Sequence, residues 1–162
     1  MAALAVAESI ERSTGVDAQV KWPNDVWIHG RKVAGILLEA TERGVVCGIG
    51  VNANQTADEL PTGRVEPTSL RVVTGSPHDR SALLADLLLG LERHYDAWQW
   101  TALGSLLPGL ERRDALRGRI VRVGGLEGTA DGIEADGRLA VVTAQGERAL
   151  VDSGEVEVEV ER

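Results

Sequence analysis

The segment Lys21-Trp-Pro-Asn-Asp25 places an amine, an indole, an amide and a carboxylate next to one another, directly before a predicted strand. Proline fixes φ, and Asn or Asp side chains hydrogen-bond to nearby backbone, so Pro23 to Asp25 can be explained as an ordinary turn. A turn does not require Lys21 or Trp22. The segment is therefore either a turn with two incidental neighbours or a group of site residues.

Lys32 begins the apolar stretch Lys-Val-Ala-Gly-Ile-Leu-Leu-Glu39. Strand alternation predicts that it shares a face with three apolar residues, Ala34, Ile36 and Leu38. A lysine in this position can lie along the apolar surface with its ammonium in water, or it can hold an anion in a pocket that excludes water. Gly35 would allow a ligand or another backbone to come close.

The segment Gly48-Ile-Gly-Val-Asn-Ala53 has a glycine spacing similar to that of dinucleotide-binding loops. The residues that follow do not begin a helix, and no βαβ unit surrounds them, so a Rossmann site is excluded. The glycines could still let a purine approach the strand. Asn52 carries both a donor and an acceptor for an adenine edge.

The elements that must position these residues are a helix and an antiparallel meander. Residues 2–14 have helical periodicity, and Gly15 is a suitable helix stop. Strands are predicted over 26–28, 32–40 and 45–52, with turns at 29–31 and 42–44. Residues 53–75 form a long connection without periodic hydrophobicity, and loops of this length are more often functional or mobile than idle.

A long helix is predicted from Ser76 to about Trp100, with Ser76 as the cap, Pro77 at the first position and Asp79 completing a capping box. Its broad apolar face would contain Leu83, Leu84, Leu87, Leu88, Leu91, Tyr95 and Trp98. A domain boundary is expected near residue 112. Short strands near 117–123, 127–134, 138–143, 147–151 and 155–160, separated by glycine turns, predict a small β-barrel.

The composition is that of a folded globular protein, with 162 residues, 43% hydrophobic and 26% charged. A formal charge of −8 provides no general attraction to nucleic acid or to an anionic membrane. The N-terminal apolar stretch is interrupted by Glu8 and Glu11 and predicts neither a signal peptide nor a membrane span. Cys47 is the single cysteine, lies in an apolar strand and is expected to be an inert core residue, which fits a reducing compartment such as the cytoplasm.

Two further groups have suitable residue types without a suitable arrangement. Ser76, His78 and Asp79 have the residue types of a hydrolase triad. A catalytic triad, however, assembles from positions that are distant in the sequence, and the capping box explains these three residues. His29, His78 and His94 lack the spacing of metal ligands, and no metal site is predicted.

Taken together, the first three segments resemble the catalytic domain of biotin protein ligases. The matching stretches are Lys21-Trp-Pro-Asn-Asp25, Arg31-Lys-Val-Ala-Gly-Ile-Leu-Leu-Glu39 and Gly48-Ile-Gly-Val-Asn52. Thr68-Ser-Leu70 and the C-terminal barrel are also similar to the family. The resemblance implies an α+β fold: a mixed, largely antiparallel sheet with helices on one face over residues 1–112, then an SH3-like barrel over 113–162.

The resemblance also implies a cytoplasmic ligase that activates biotin with ATP and Mg²⁺ and joins it to a lysine of a biotin carboxyl carrier protein. By this likeness Lys32 and Asp25 are catalytic, and biotin is bound by Lys32, Gly35 and Trp22. The adenine nucleotide is assigned to four residues, Asn52, Gly50, Lys21 and Asn24. No DNA or membrane partner is implied, and a homodimer is possible.

The sequence departs from the family pattern in one respect. Biotin protein ligases carry a Gly- and Arg-rich loop before the segment matched here, and it is not among these 162 residues. Gly63-Arg64 and Arg117-Gly-Arg119 have the same residue types but belong to a loop and to the barrel. The alternative function is therefore a truncated, non-catalytic remnant that binds nucleotide or a protein partner.

Overall fold

A computed structural model describes residues 1–63 and 65–159 of the chain. Arg64 lies outside the described residues, as do residues 160–162, which include the last residue of the predicted strand 155–160 and the end of the predicted barrel. The described part contains two antiparallel sheets and a set of helices, which confirms the predicted α+β class. Parallel pairing in this part is limited to isolated bridges, Val20 with Asp114 and Lys32 with Pro67.

The first sheet has the order β1-β2-β3-β4 and contains the predicted meander. Its strands are β1 (Gln19–Lys21), β2 (Asp25–Ile28), β3 (Arg31–Thr41) and β4 (Gly44–Val51). The helices are α1 (Ala2–Thr14), α2 (Leu70–Thr74), α3 (Arg80–Thr101) and α4 (Leu107–Arg112), with a 3-10 turn over Ala57–Glu59. The second sheet has the order β8-β7-β6-β5-β9, with β5 (Ile120–Val123), β6 (Leu126–Ile133), β7 (Leu139–Val142), β8 (Arg148–Val151) and β9 (Glu157–Val158).

Helix α1 packs against β1, β2 and β3 and buries an aliphatic stripe that includes Leu4, Val6 and Ile10. It ends at Gly15, whose φ of 71° places it in the left-handed region, where glycine is favoured. The predicted helix and its stop are both confirmed. The helix thereby closes one side of the core beneath the strands that carry the candidate site.

A bulge between β2 and β3 changes the side on which Lys32 lies. Val26 pairs with Ala34, but Trp27 pairs with Lys32, so Val33 is the extra residue. Lys32 therefore shares the face of Asp25 and Gly35, while Ala34 and Ile36 are buried in the core. The prediction that simple alternation puts Lys32 with these apolar residues was wrong, because the bulge shifts the period by one residue.

The start and the packing of α3 also differ from prediction. Asp79 is the cap, accepting hydrogen bonds from the backbone N–H groups of Ser81 and Ala82, so the predicted start at Ser76 was three residues early. Of the predicted apolar face only two residues are buried, Leu83 and Leu87. Four others, Leu84, Leu88, Tyr95 and Trp98, are 43–55% exposed. The reason is that α3 packs mainly on α1, through Leu83, Leu87, Gly90 and His94.

The second sheet has its own hydrophobic core, built around Leu116, Val121, Leu139 and Val141. Its five strands lie where the sequence predicts them, and their closure into a barrel stays a prediction, as does the boundary near residue 112. The connecting segment pairs with β1 through hydrogen bonds from Val20 N–H to the Arg113 carbonyl (2.7 Å) and from Ala115 N–H to the Val20 carbonyl (2.9 Å).

The outer halves of β3 and β4 form an exposed ribbon. Leu37, Leu38, Val45 and Val46 are 58–65% exposed, and Cys47 on the same ribbon is exposed as well. The prediction of a buried Cys47 was wrong, because among residues 1–63 and 65–159 no element covers this end of the sheet. In the same residues, none of the helices combines the length and the apolar character that a bilayer crossing requires.

Candidate active site

The predicted site segments meet at an open cleft of about 840 Å³. Its walls come from β2, β3 and β4, from the connection after β4, and from the C-terminal segment before β9. The lining residues are Lys21, Pro23, Asn24, Asp25, Lys32, Ala34, Gly35, Gly50, Val51, Asn52, Gln55, Pro61, Gly63, Val65, Pro67, Gly154 and Glu155. Seven of the eight residues predicted for the site are in this set, and Trp22 is not.

Lys32 and Asp25 form an ion pair at the centre of the cleft, with 2.7 Å between Nζ and Oδ1. The Asp25 side chain is 10% exposed and that of Lys32 is 40% exposed. A two-residue hairpin brings them together, because His29 and Gly30 have φ values of 50° and 75° and Ile28 pairs directly with Arg31. The Asp25 carboxylate is thus shielded, while the Lys32 side chain is partly exposed to the cleft.

Gly35 lies opposite Asp25 in the β2–β3 pairing and provides the space for the Lys32 side chain. A Cβ at Gly35 would lie 3.2 Å from both Cε and Nζ of Lys32, and 3.7 Å from Asp25 Oδ1. Gly50 is paired with Gly35 across β3 and β4, and no atom lies within 4 Å of its Cβ position. The first glycine therefore makes room for a protein side chain, and the second leaves open space.

Asn52 directly follows β4 and joins the cleft to the Thr68-Ser-Leu70 segment. Its Nδ2 donates to the Thr68 carbonyl at 3.0 Å, and its backbone N–H donates to the Val33 carbonyl at 2.8 Å. Ser69 caps α2 by accepting from Val72 N–H and donates from Oγ to the Gln55 carbonyl at 2.6 Å. The side-chain oxygen of Asn52 accepts no hydrogen bond from residues 1–63 or 65–159, so an acceptor is left for a ligand.

Lys21, the last residue of β1, and Asn24, in the turn that follows, both line the cleft. Lys21 is 4% exposed, and its ammonium lies 5.8 Å from the centre of the Trp27 ring, within the range of a cation–π contact. Asn24 exchanges two hydrogen bonds with Ile36, through its backbone carbonyl (2.9 Å) and its Nδ2 (3.0 Å). The turn is therefore attached to β3, next to Gly35.

Trp22 points away from the cleft. It is buried in the core of the second sheet, and its indole N–H donates to the Gly137 carbonyl at 2.9 Å. The Trp22-Pro23 peptide bond is cis. The predicted biotin contact of Trp22 is not supported by this geometry, because the side chain is enclosed by the second sheet while its neighbours Lys21 and Pro23 face the cleft.

Sequence reasoning missed Gln55, Pro67, Gly154 and Glu155 as lining residues. Gln55 and Pro67 belong to the long connection over residues 53–75, for which its length suggested a functional or mobile loop without indicating particular residues. No feature of the sequence near Gly154 and Glu155 indicates that they line the cleft, and more than a hundred residues separate them from the three site segments. Only the packing of the second sheet beside Trp22 brings them here.

The other polar candidates are explained by local structure. His78 Nε2 lies 2.8 Å from Thr74 Oγ1, and the His78 backbone N–H donates to Asn54 Oδ1. Asp79 caps α3, so these residues form no triad. Within the described ranges, no group of three or more His, Cys, Asp or Glu side chains could hold a metal ion.

Comparisons with known proteins agree with this geometry. The profile of the biotin/lipoate A/B protein ligase family matches residues 1–55. The chain is 35% identical over 156 residues to the bifunctional ligase/repressor BirA of Bacillus spizizenii, covering 90% of this chain and 48% of BirA. It is 34% identical over 163 residues to the biotin--[acetyl-CoA-carboxylase] ligase of Mycobacterium tuberculosis, covering 96% of this chain and 59% of the relative. The chain thus spans about half the length of the curated relatives it matches.

Solved structures show the same fold. The biotin protein ligase of Aquifex aeolicus superimposes with a TM-score of 0.89 at 27% identity, over 98% of this chain and 73% of that chain. A second structure from Aquifex aeolicus, described as biotin protein ligase in complex with biotin and ATP, gives a TM-score of 0.88. With the motifs assembled at one cleft, these matches make the chain similar to the biotin protein ligases and, over residues 1–55, to the biotin/lipoate A/B protein ligase family.

Proposed function

We propose that this chain carries the site that activates biotin as biotinyl-5′-AMP and transfers it to a lysine of a biotin carboxyl carrier protein. The observation that carries the proposal is the Lys32–Asp25 pair, 2.7 Å apart, in a cleft that Asn52 and Gly50 also line. Activation needs a cation beside the biotin carboxylate and the α-phosphate of ATP. Transfer needs a carboxylate beside the amine of the acceptor lysine. The pair supplies both groups at one place.

Lys32 serves the activation half. A biotin carboxylate oxygen attacks the α-phosphorus of ATP, the new P–O bond replaces the bond to the β-phosphate oxygen, and pyrophosphate leaves. The carboxylate and the phosphate repel each other, so a fixed ammonium between them offsets that repulsion and stabilises the charge that develops. The exposed end of Lys32 is suited to this position. Gly35 contributes to biotin binding through the space that it leaves for this side chain.

Asn52 and Gly50 serve the nucleotide. Asn52 Nδ2 donates one N–H to the Thr68 carbonyl, which fixes the amide, and the side-chain oxygen is the acceptor that we assign to the adenine amino group. Gly50 leaves the strand open to a flat ring. Lys21 and Asn24 form the wall beside them, and Lys21 adds a positive charge toward the phosphates.

Asp25 serves the transfer half. The acceptor amine has an ordinary pKa of about 10.4 and arrives as an ammonium ion that cannot attack. Asp25 orients this ion and accepts its proton; the free amine then attacks the acyl carbon, the C–N bond forms, the acyl C–O bond to phosphate breaks, and AMP leaves. The Asp25 side chain is only 10% exposed, so its carboxylate can bind the acceptor ammonium from one direction, in a defined position.

Mg²⁺ would enter with ATP. The described residues offer no cluster of ligands for it, so we assign it to the phosphate oxygens, where it neutralises charge, and we assign no step to it. The carrier protein approaches near Gly154 and Glu155, which border the cleft from the proposed second domain over 113–162. The net charge of −8 favours a protein partner over DNA.

The second candidate is a chain that binds nucleotide through the part of the cleft lined by Asn52 and Gly50 without biotinylating. Biotin-dependent exchange of labelled pyrophosphate into ATP separates the candidates, with Lys32→Ala as the test and Arg31→Ala, an exposed neighbour, as the matched control. We expect exchange in the unchanged chain and in Arg31→Ala, and none in Lys32→Ala. ATP binding without exchange supports the second candidate, and exchange in a folded Lys32→Ala variant contradicts the role of Lys32.

A further inference from the structure

We infer that the ammonium of Lys32 occupies, in the free protein, the position beside Asp25 that the acceptor amine takes during transfer. The acceptor position then opens only when an anionic acyl-adenylate draws Lys32 away. The inference rests on the proposed function and adds to it an order of binding and the means by which the protein enforces that order.

The first support is the geometry of Asp25. Its side chain is 10% exposed, and Oδ1 is in contact with the Lys32 ammonium at 2.7 Å, the distance of a strong charge-assisted hydrogen bond. A second ammonium at the same oxygen would lie within a few ångströms of the first. Like charges repel at such a separation, so Lys32 and an incoming amine compete for the carboxylate.

The second support is the freedom of the Lys32 side chain. The ammonium lies at the end of a flexible four-carbon stem, 40% exposed, in space left by the missing Cβ of Gly35. It can turn toward the cleft without moving the strand. An acyl-adenylate places a phosphate anion there, and this anion offers Lys32 a replacement for the partner it leaves.

The third support is chemical identity. The Lys32 terminus and the side chain of an acceptor lysine are both primary alkylammonium ions on a four-carbon stem, so a position that fits one fits the other. When Lys32 has moved, Asp25 has lost this ammonium as its partner and can bind the acceptor and take its proton. Before activation the same carboxylate is covered, and the acceptor amine has no partner.

The test uses n-butylammonium as the probe, followed by NMR through the Asp25 carboxyl carbon and the Gly35 and Gly50 amides. We expect Lys32→Gln to bind n-butylammonium at least tenfold more tightly than the unchanged chain. Arg31→Gln is the matched control, because it removes an adjacent charge, on a side chain paired with Glu66, and leaves Lys32 in place; no gain is expected. Tetramethylammonium, which has no N–H group, should gain nothing with either variant.

Gly35→Ala provides a further check, since its Cβ would lie 3.2 Å from the position of Lys32 Nζ and would obstruct the probe there as well, so no gain in probe binding is expected. Asp25→Asn added to Lys32→Gln should abolish the gain. Equal probe affinity in the unchanged chain and Lys32→Gln would overturn the inference, and so would a gain in Gly35→Ala, because the probe would then occupy a different position. Pyrophosphate exchange by the unchanged chain tests the proposed function separately. If the unchanged chain shows no exchange while Lys32→Gln gains amine binding, the proposed function is contradicted and the covered carboxylate is established.

Discussion

Replacing Trp22 by Phe tests whether this residue supports the site from the second sheet or contacts biotin directly. The indole is 5% exposed, packs with Leu116 and its neighbours, and donates its N–H to the Gly137 carbonyl at 2.9 Å. Phe keeps an aromatic ring but removes this donor and part of the buried surface. The change therefore acts on the core of the second sheet, behind the wall of the cleft.

The expected loss of stability has two parts. One lost hydrogen bond is worth about 1 kcal/mol net. The smaller ring removes the equivalent of one or two buried methylene groups, at about 0.8 kcal/mol each. Together they predict a decrease of about 2–3 kcal/mol in the free energy of unfolding, and at about 2–4 °C per kcal/mol this lowers Tm by about 4–12 °C.

Chemical denaturation followed by circular dichroism measures this decrease. Trp100→Phe makes the same substitution at a side chain that is 88% exposed, so it should change stability by less than about 0.5 kcal/mol. If Trp22→Phe were as stable as Trp100→Phe and had lost affinity for biotin, the placement of Trp22 in the second core would be refuted.

Three further predictions concern single residues. Gly35→Ala should lower pyrophosphate exchange by about a hundredfold, because its Cβ, 3.2 Å from Lys32 Nζ, would displace the Lys32 ammonium. The free energy of unfolding should change by less than about 1 kcal/mol. Gly48→Ala, whose Cβ would meet only ordinary contacts at 3.7 Å or more, is the control for exchange. Burial raises the pKa of Glu11, but the hydrogen bonds and charge of Arg113 outweigh this and hold the pKa below its ordinary 4.5. The Glu11–Arg113 pair therefore stabilises the fold above about pH 4.5, and this contribution is lost as pH falls through the lowered pKa. Glu11→Gln should lower the free energy of unfolding by about 1–3 kcal/mol at pH 7. A difference between the two proteins in urea unfolding that does not change with pH would contradict this. His29→Asn should raise the free energy of unfolding by about 0.5–1 kcal/mol, because His29 has a φ of 50° at a turn position that favours Asn. A decrease in urea unfolding would show that the imidazole makes a stabilising contact.

The cleft depends on three separate parts of the fold. The hairpin at His29-Gly30 brings Asp25 and Lys32 together, the Asn52–Thr68 hydrogen bond holds the side of the cleft that we propose for the nucleotide, and the segment before β9 supplies a further wall. The Arg113–Glu11 pair, 2.6 Å between the nearest atoms, ties α1 to the segment that leads into that sheet. Stability of the second sheet and function of the first are therefore expected to be linked.

Local sequence was sufficient for the features that depend on a few consecutive residues. Helix α1 and its Gly15 stop follow from helical periodicity and from the left-handed conformation that glycine accepts. The meander and the strands of the second sheet follow from alternating apolar residues between glycine turns. The site segments could be singled out because Lys21, Trp22 and Asn52 are not required by the turns and strands around them.

Tertiary structure decided which side chains share the cleft. The bulge at Val33 moves Lys32 to the face of Asp25 and Gly35, and it depends on the pairing of two strands rather than on either strand alone. Trp22 enters the second core because that sheet packs beside β1, and Cys47 is exposed because no described element covers the outer half of β4. In each case the pattern along the chain defines a side chain's local direction, whereas its surroundings come from residues far away in sequence, so periodicity alone could not predict them.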